Sequence, residues 1–300
     1  MLRATPALAL TAAAGTAGLA YRQWRAYQVE RAFEERFAGR RNVQGVIEGA
    51  EGFILKGTNH RAVVLLHGYN DSPQTVRSPA AALHANGWTV YAPLLPGHGR
   101  SLAAFAASRA DDWIHASRLA VAEALTRHRH VAVGGLSLGG AIASIIASEQ
   151  PSVVATMLFA PYLVSSRRLS AIAASWPLLT VGAKYLTGGN AMRSVRDPEA
   201  RASIVAYGCS TPRLMHEVKR VVLAARRALS SVRQPVWMAQ SSDDYRIRPS
   251  DAQAAFDSLG STDKHLHWTT GNGHVITMDF GHRELSAEAV GWIESRIPAA

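Results

Sequence analysis

From about residue 60 the chain alternates short, near-continuous apolar runs with longer stretches in which apolar side chains recur every three or four positions. The first kind reads as buried strands, the second as helices that cover them. Arg61-Ala62-Val63-Val64-Leu65-Leu66 predicts a strand, residues 78–86 a helix and Thr89-Val90-Tyr91-Ala92 a second strand. Residues 111–127 predict a helix whose buried face includes Trp113, Ile114, Leu119, Ala122 and Leu125. Val131-Ala132-Val133-Gly134 and the run from 153 to 159 predict further strands, with the apolar helical run 141–147 between them. Strands apolar on both faces and separated by helices imply a mostly parallel sheet covered on both sides. Ahead of them, residues 43–47 and 52–55 predict a short antiparallel start.

Residues 161–233 break this rhythm, because no convincing strand follows Phe159 until Val236. Met215, Val218, Val222, Ala225 and Leu229 recur at helical spacing, so this stretch reads as a small helical cap inserted over the sheet. The chain then divides into an N-terminal apolar segment with a basic helical linker (1–40), a core (41–160 and 234–300) and the inserted cap (161–233). Three hundred residues, 48% of them apolar, suffice for one such domain with an insertion. Within the cap, Trp176, Leu178, Leu179 and Tyr185 are candidates for a substrate-facing surface; the alternative is that they only pack the cap against the sheet.

The strand from Val131 runs into Gly135-Leu136-Ser137-Leu138-Gly139 and then into a helix. A serine on a tight strand-to-helix turn is forced outward, and flanking glycines let strand and helix approach. The Leu138 amide then opens a helix, where an N–H without an intrahelical acceptor can hold a developing oxyanion. Such a serine needs a base. His274 sits in the Gly-rich loop Gly271-Asn272-Gly273-His274 after the last strand, the right place for one. His128, His130 and His282 read as surface or capping residues, His265 and His267 as residues of an edge strand, and His67 and His98 as loop-packing groups. Asp243 and Asp244, in the loop after the strand at 234–239, compete to orient the imidazole, since adjacent residues in an extended loop point apart.

On these pieces the chain resembles the α/β-hydrolases, closest to small-cap bacterial carboxylesterases and monoacylglycerol lipases. The matching segments are Val64-Leu65-Leu66-His67-Gly68-Tyr69, Pro93-Leu94-Leu95-Pro96-Gly97-His98-Gly99, Asp112-Trp113, the Ser137 elbow, Asp244-Tyr245-Arg246-Ile247-Arg248-Pro249 and Gly273-His274-Val275-Ile276-Thr277, in family order over about residues 45–297. The resemblance implies an α/β-hydrolase fold with Ser137 as nucleophile, Asp244 as acid and His274 as base. It implies the Tyr69 and Leu138 amides as oxyanion donors, with tyrosine where relatives commonly carry phenylalanine. The acid segment departs from the family, which often has a single Asp after Gly where this chain has Ser-Asp-Asp. Carboxylic esters, medium-chain or monoacylglycerol-like, are the implied substrates, and no cofactor is implied. Acyl transfer or thioester hydrolysis would use the same serine, and a non-catalytic binding protein on this scaffold is the reading from outside enzymology.

Charge adds one more element. The cap holds twelve Arg or Lys against Asp197, Glu199 and Glu217, which is +9 of the chain's net +10. A basic cap suits an anionic membrane surface or a negatively charged substrate. The arginines are not interleaved with stacking aromatics, which argues against nucleic acid. One cysteine, Cys209, makes neither an intrachain disulfide nor a zinc cluster, and no histidine pair has a clear metal-ligand context. Residues 4–21 are uncharged but mostly alanine, at the lower edge of a membrane span, with Arg22, Trp24, Arg25 and Tyr27 suited to an interface. A membrane-associated protein with a cytoplasmic catalytic domain is the expectation; a cleaved signal peptide or a packed helix are the alternatives. Oligomeric state leaves no trace in the sequence.

Overall fold

The computed structural model describes residues 6–188 and 191–298. Its strands are β1 (Phe53–Leu55), β2 (Arg61–Leu66), β3 (Thr89–Ala92), β4 (His130–Leu136), β5 (Val153–Phe159), β6 (Leu186–Thr187), β7 (Cys209–Ser210), β8 (Val236–Ser241) and β9 (Lys264–Thr269). Seven form one sheet in the order β1-β3-β2-β4-β5-β8-β9, in which only β1 runs antiparallel to its neighbour. β6 and β7 make a separate antiparallel ribbon. This is the mostly parallel sheet expected of an α/β-hydrolase. The expected antiparallel start is half present: Phe53–Leu55 pairs with β3, whereas the 43–47 stretch is a turn closed by a lone Arg41–Ile47 bridge. Gly45 there has a positive φ of 73°, which suits a turn and not a ladder.

The helices are α1 (Pro6–Arg36), α2 (Arg77–Ala85), α3 (Leu102–Ala107), α4 (Ala110–Arg127), α5 (Leu138–Glu149), α6 (Arg167–Ala174), α7 (Trp176–Gly182), α8 (Ala191–Ser194), α9 (Pro198–Ser203), α10 (Pro212–Ala228), α11 (Pro249–Asp257) and α12 (His282–Glu294). β2 buries all six of its residues and serves both faces of the sheet. Ala62, Val64 and Leu66 join Trp113 of α4, Ile142 and Ile146 of α5 and Val221 of α10 in one core. Val63 and Leu65 join Leu83 of α2 and Leu285, Ala289 and Ile293 of α12 in the other. Burying such a Val or Leu side chain contributes roughly 1.5–3 kcal/mol each. Arg61, almost fully buried at the start of β2, donates to Glu294 (2.9 Å) and to the Ile297 carbonyl (2.6 Å), which pins the C-terminal helix to the sheet.

Two packing details depart from the sequence reading. α4 buries Trp113, Ile114, Ser117, Val121 and Ala124, while Leu119 is 57% exposed and Ala122 faces solvent. The small Ser117 and Ala124 allow close approach to the sheet and α5, and they set the helix's rotation. α10 packs against both α5 and α6 with Leu214, Val218, Val221, Val222 and Ala225 buried, so the last helix of segment 161–233 joins the rest of the insertion to the helices that cover the sheet.

α1 is tied to the insertion through its second half. Arg22 donates to the Thr180 carbonyl (2.9 Å), Glu30 accepts from Lys184 (2.6 Å) and Tyr185 (2.7 Å), and Arg36 donates to the carbonyls of Ala206 and Ile204 (3.1 Å each). Phe33 stacks on Tyr207 with ring centroids 5.2 Å apart. Leu19, Tyr21, Trp24 and Tyr27 stay exposed. The apolar stretch at 4–21 begins outside the described residues; among those described, no helix is long and apolar enough to cross a membrane.

Candidate active site

Ser137 sits between β4 and α5 with φ 53° and ψ −112°, a left-handed backbone costly for any residue with a side chain. The surroundings hold it there. Its amide donates to the Phe159 carbonyl (2.9 Å) and its carbonyl accepts from Tyr162 N (3.0 Å) and Ala141 N (3.1 Å). A Cβ on Gly135 would lie 2.5 Å from the Gly139 carbonyl carbon, and one on Gly139 would overlap the Leu66 carbonyl oxygen. The Gly-x-Ser-x-Gly pattern is therefore a steric requirement of bringing β2, β4 and α5 together at this turn.

The three separated chemical segments meet here. Ser137 Oγ and His274 Nε2 are 2.8 Å apart, and His274 Nδ1 and Asp244 Oδ2 are 2.7 Å apart. A carboxylate can only accept, so Nδ1 carries the proton and Nε2 is left to accept from the serine hydroxyl. Asp244 Oδ2 also accepts from Gln240 Nε2 (2.9 Å), and its Oδ1 accepts from the amides of Arg246 (2.7 Å) and Ile247 (3.3 Å). Burial works to raise the Asp244 pKa, but the adjacent His274 and these donors outweigh it and hold the carboxyl below its ordinary range.

The two aspartates differ in direction. Asp243 turns away from the imidazole: its carboxylate accepts from Gly271 N (2.8 Å) and lies 3.6 Å from Arg196. It braces the mouth of the loop that carries His274.

One residue important to that loop carries no motif. Asp279 is fully buried; its Oδ2 accepts from the amides of Gly273 (2.6 Å) and Arg196 (2.8 Å), and its Oδ1 from those of Asp197 (2.8 Å) and Phe280 (2.9 Å). It clamps the backbone next to His274 to the insertion. Its one trace in the sequence is a carboxylate set in the otherwise uncharged run Val275-Ile276-Thr277-Met278-Asp279-Phe280.

The Tyr69 backbone follows His67-Gly68 at the end of β2, on the side of Ser137 where Gly68 packs. Leu138 opens α5, and its amide belongs to the first turn, which lacks intrahelical acceptors. The Tyr69 phenol shares a 2.6 Å hydrogen bond with Ser210 Oγ, and burial pushes its pKa up. His67 is the clamp of this turn: Nδ1 donates to the Gly68 carbonyl (2.9 Å) and Nε2 accepts from Leu95 N (3.1 Å). Burial, aided by His98 nearby, lowers its pKa well below the ordinary value and keeps it neutral. His98, also buried, is lowered to about 4. Both are packing groups.

Ser137, Leu138, Tyr69 and His274 open onto a cavity of about 510 Å³ roofed by the insertion. Its apolar wall differs from the sequence expectation. Leu169 and Ile172 of α6 and Met215 and Val218 of α10 line it, whereas Trp176, Leu178, Leu179 and Tyr185 do not. α7 packs between α1 and α10, so Leu178 is 75% exposed, Trp176 lies against His216 and the Tyr185 hydroxyl reaches Glu30 of α1. The same apolar spacing serves α6 and α7, and only the path of the chain decides which one faces inward.

Among the described residues, one group of potential metal ligands comes together, His265, His267 and Glu288, with ligand atoms within 4.8 Å. It joins His265 and His267 of β9 to Glu288 at the middle of α12, whereas Ser137 follows the carboxyl end of β4. The other histidines take bland roles, His128 against the Tyr91 hydroxyl (3.1 Å) and His282 against Ser78 Oγ (2.8 Å).

Known proteins resemble this chain in sequence and in fold. The sequence pattern of the serine aminopeptidase S33 family matches residues 57–280. A thermostable monoacylglycerol lipase of Bacillus sp. (strain H-257) is 23% identical over 242 residues, 78% of this chain and 90% of that protein. A carboxylesterase of Bacillus subtilis (strain 168) is 23% identical over 232 residues, 76% of this chain and 89% of that one. Among solved structures, a metagenome-derived lipolytic enzyme superposes with TM-score 0.76 at 27% identity, covering 83% of this chain and 99% of its own. The monoacylglycerol lipase of Paleococcus ferrophilus shares the fold with TM-score 0.70 at 22% identity, covering 82% and 99%.

Proposed function

This chain belongs to the serine aminopeptidase S33 family of α/β-hydrolases, and on that premise we propose that it cleaves small carboxylic monoesters through an acyl-enzyme on Ser137. The observation that carries this reading is His274, held by Asp244 on one nitrogen and within 2.8 Å of Ser137 Oγ on the other. Ester hydrolysis itself agrees with the lipase and carboxylesterase relatives.

The steps follow from the geometry. As Ser137 Oγ attacks the ester carbon, its proton passes to His274 Nε2, and Asp244 stabilises the resulting imidazolium. The carbonyl oxygen becomes an oxyanion, held by the Leu138 and Tyr69 amides; removing one such donor costs about 3 kcal/mol of transition-state stabilisation in a measured protease case. His274 gives the proton to the departing alkoxide, and the C–O bond of the ester breaks. Water then enters, loses a proton to His274, attacks the acyl carbon and releases the acid, and Ser137 recovers its proton.

The cavity supports a monoacyl substrate of medium chain length. Each buried methylene contributes about 0.8 kcal/mol, close to fourfold in binding. Catalytic efficiency over an acyl series of monoesters is expected to rise stepwise above the acetyl ester and to fall sharply once the cavity is full, with triacylglycerols poor substrates under the roof of the insertion. Steady-state kinetics on parallel monoacyl and triacyl series test this. A maximum at acetyl, or faster cleavage of triacylglycerol than monoacylglycerol, contradicts the pocket assignment.

A further inference from the structure

The cavity above Ser137 is unevenly charged. Arg168, Arg193, Arg201 and Arg246 contribute to its lining, and Asp71 is the one carboxylate among its described lining residues. Arg193 and Arg246 are built into one side of it. Their guanidinium carbons each lie 4.8 Å from the Tyr245 ring centroid. The Tyr245 hydroxyl shares a 3.0 Å hydrogen bond with Ser194 Oγ, and Arg246 Nη2 donates to the same oxygen at 3.2 Å. This cluster abuts the histidine loop: Val275 N donates to the Ser194 carbonyl (2.9 Å), and Gly273 packs on the carbonyls of Arg193 and Ser194 so closely that a Cβ would not fit. Leu169 and Ile172 of α6 and Met215 and Val218 of α10 give apolar lining from other elements, while α6 also contributes Arg168, and Val195 and Val275 are apolar lining next to the cluster.

The chemistry assigns a direction to this asymmetry. His274 must deliver its proton to the leaving oxygen, so the alcohol half of an ester lies on the histidine's side. The acyl half is left to the apolar wall. Arg246 also lies near enough to Asp71 and Tyr69 to oppose, through its charge, the effect of burial on both, which brings it within electrostatic reach of the reacting centre. The hydrogen bond of Arg246 to a serine hydroxyl and those of Arg201 to the carbonyls of Val195 and Arg196 orient the guanidinium groups of Arg246 and Arg201 on neutral acceptors.

We propose that the ester's alcohol carries an anionic group, a phosphate or a carboxylate, bound by Arg193 and Arg246 while the acyl chain runs between α6 and α10. This rests on the ester-hydrolase reading above and narrows its substrate class. Guanidinium groups suit such anions because planar paired donors match their oxygens.

The test compares four esters of one short acyl chain, all below their micelle-forming concentration: the acylglycerol, the acylglycerol 3-phosphate, the glycolate ester and the choline ester. At low ionic strength kcat/KM for the phosphate or glycolate ester is expected to exceed that for the neutral acylglycerol by at least about tenfold, with the choline ester the slowest. Added salt shrinks the ratio toward one. Arg246→Gln lowers the ratio about tenfold, Arg246→Lys retains part of it, and Arg127→Gln, an exposed cation on α4, leaves it unchanged; thermal unfolding of each variant checks that it is folded. Comparison of the two anionic esters shows which group is preferred. A ratio at or below one, or a ratio insensitive to both salt and Arg246→Gln, overturns the proposal, while cleavage of the neutral ester in the same assay leaves the hydrolase reading standing. Failure to cleave any of the four overturns the hydrolase reading instead.

Discussion

Two adjacent carboxylates show how much one residue's direction matters. Asp244 reaches His274 at 2.7 Å, and Asp243 caps Gly271 N at 2.8 Å. Asp244→Asn is expected to lower kcat about 10⁴-fold, as loss of the orienting acid does in a measured serine protease, whereas Asp243→Asn changes it less than about tenfold; steady-state kinetics on one monoester decide, and the reverse ranking contradicts the assignment. A third carboxylate gives a pH signature. Asp71 lies at the cavity wall, where loss of water raises its pKa to about 6 against the ordinary 3.8, with Arg246 and His274 opposing that rise. The folded state thus holds this proton more tightly than the unfolded chain, and the stability it contributes is present below the ordinary value and lost as pH rises through about 6. Asp71→Asn should therefore melt higher than the parent protein above pH 6, and the gap should close as pH falls below 3.8. Equal melting temperatures at all pH values contradict that environment. Ser137, His274 and the pair of aspartates were legible in the sequence because elbow, acid loop and histidine loop each follow a recognisable strand. Which aspartate turns inward depends on donors at 240, 246 and 247, and composition does not encode that.

At the scale of elements, the histidine loop is more than the end of β9. Asp279 ties Gly273 to the insertion through four backbone donors, and Asn272 closes the same loop through Thr269 Oγ1 (2.8 Å) and the Ser241 hydroxyl (2.8 Å). Asp279→Asn puts two amide protons where oxygen must accept, so His274 loses its fixed position. A drop in kcat of about tenfold or more is expected with KM little changed, since small misplacements of a reacting group cost rate before they cost binding. An unchanged kcat removes Asp279 from the positioning of His274. The sheet strands were legible because their apolar runs are buried on both faces, as in β2. The helices were less so. α4 turns its stripe toward Ser117 and Ala124 and leaves Leu119 out, and α6 takes the inward position that spacing alone would equally grant α7. In both, close contact with a neighbouring element overrides the apolar count.

For the molecule as a whole, apolar side chains of α6 and α10 and the arginines beside the histidine loop meet at one strained serine under an insertion to which α1 is tied. The insertion's positive charge was plain in the sequence, but the meeting of its Arg193 with Arg246 of the acid loop over the Tyr245 ring required the path of the chain through α8 and the loop at 245–248. All of the proposed chemistry depends on Ser137 being activated by His274. The most direct measurement is the intact mass of the folded protein after reaction with an activated phosphonate ester. The parent protein is expected to gain one phosphonyl group mapped to Ser137, and both Ser137→Ala and His274→Ala to stay at their starting mass under the same exposure. Labelling that persists in Ser137→Ala, or a folded parent protein that takes no label, contradicts the account.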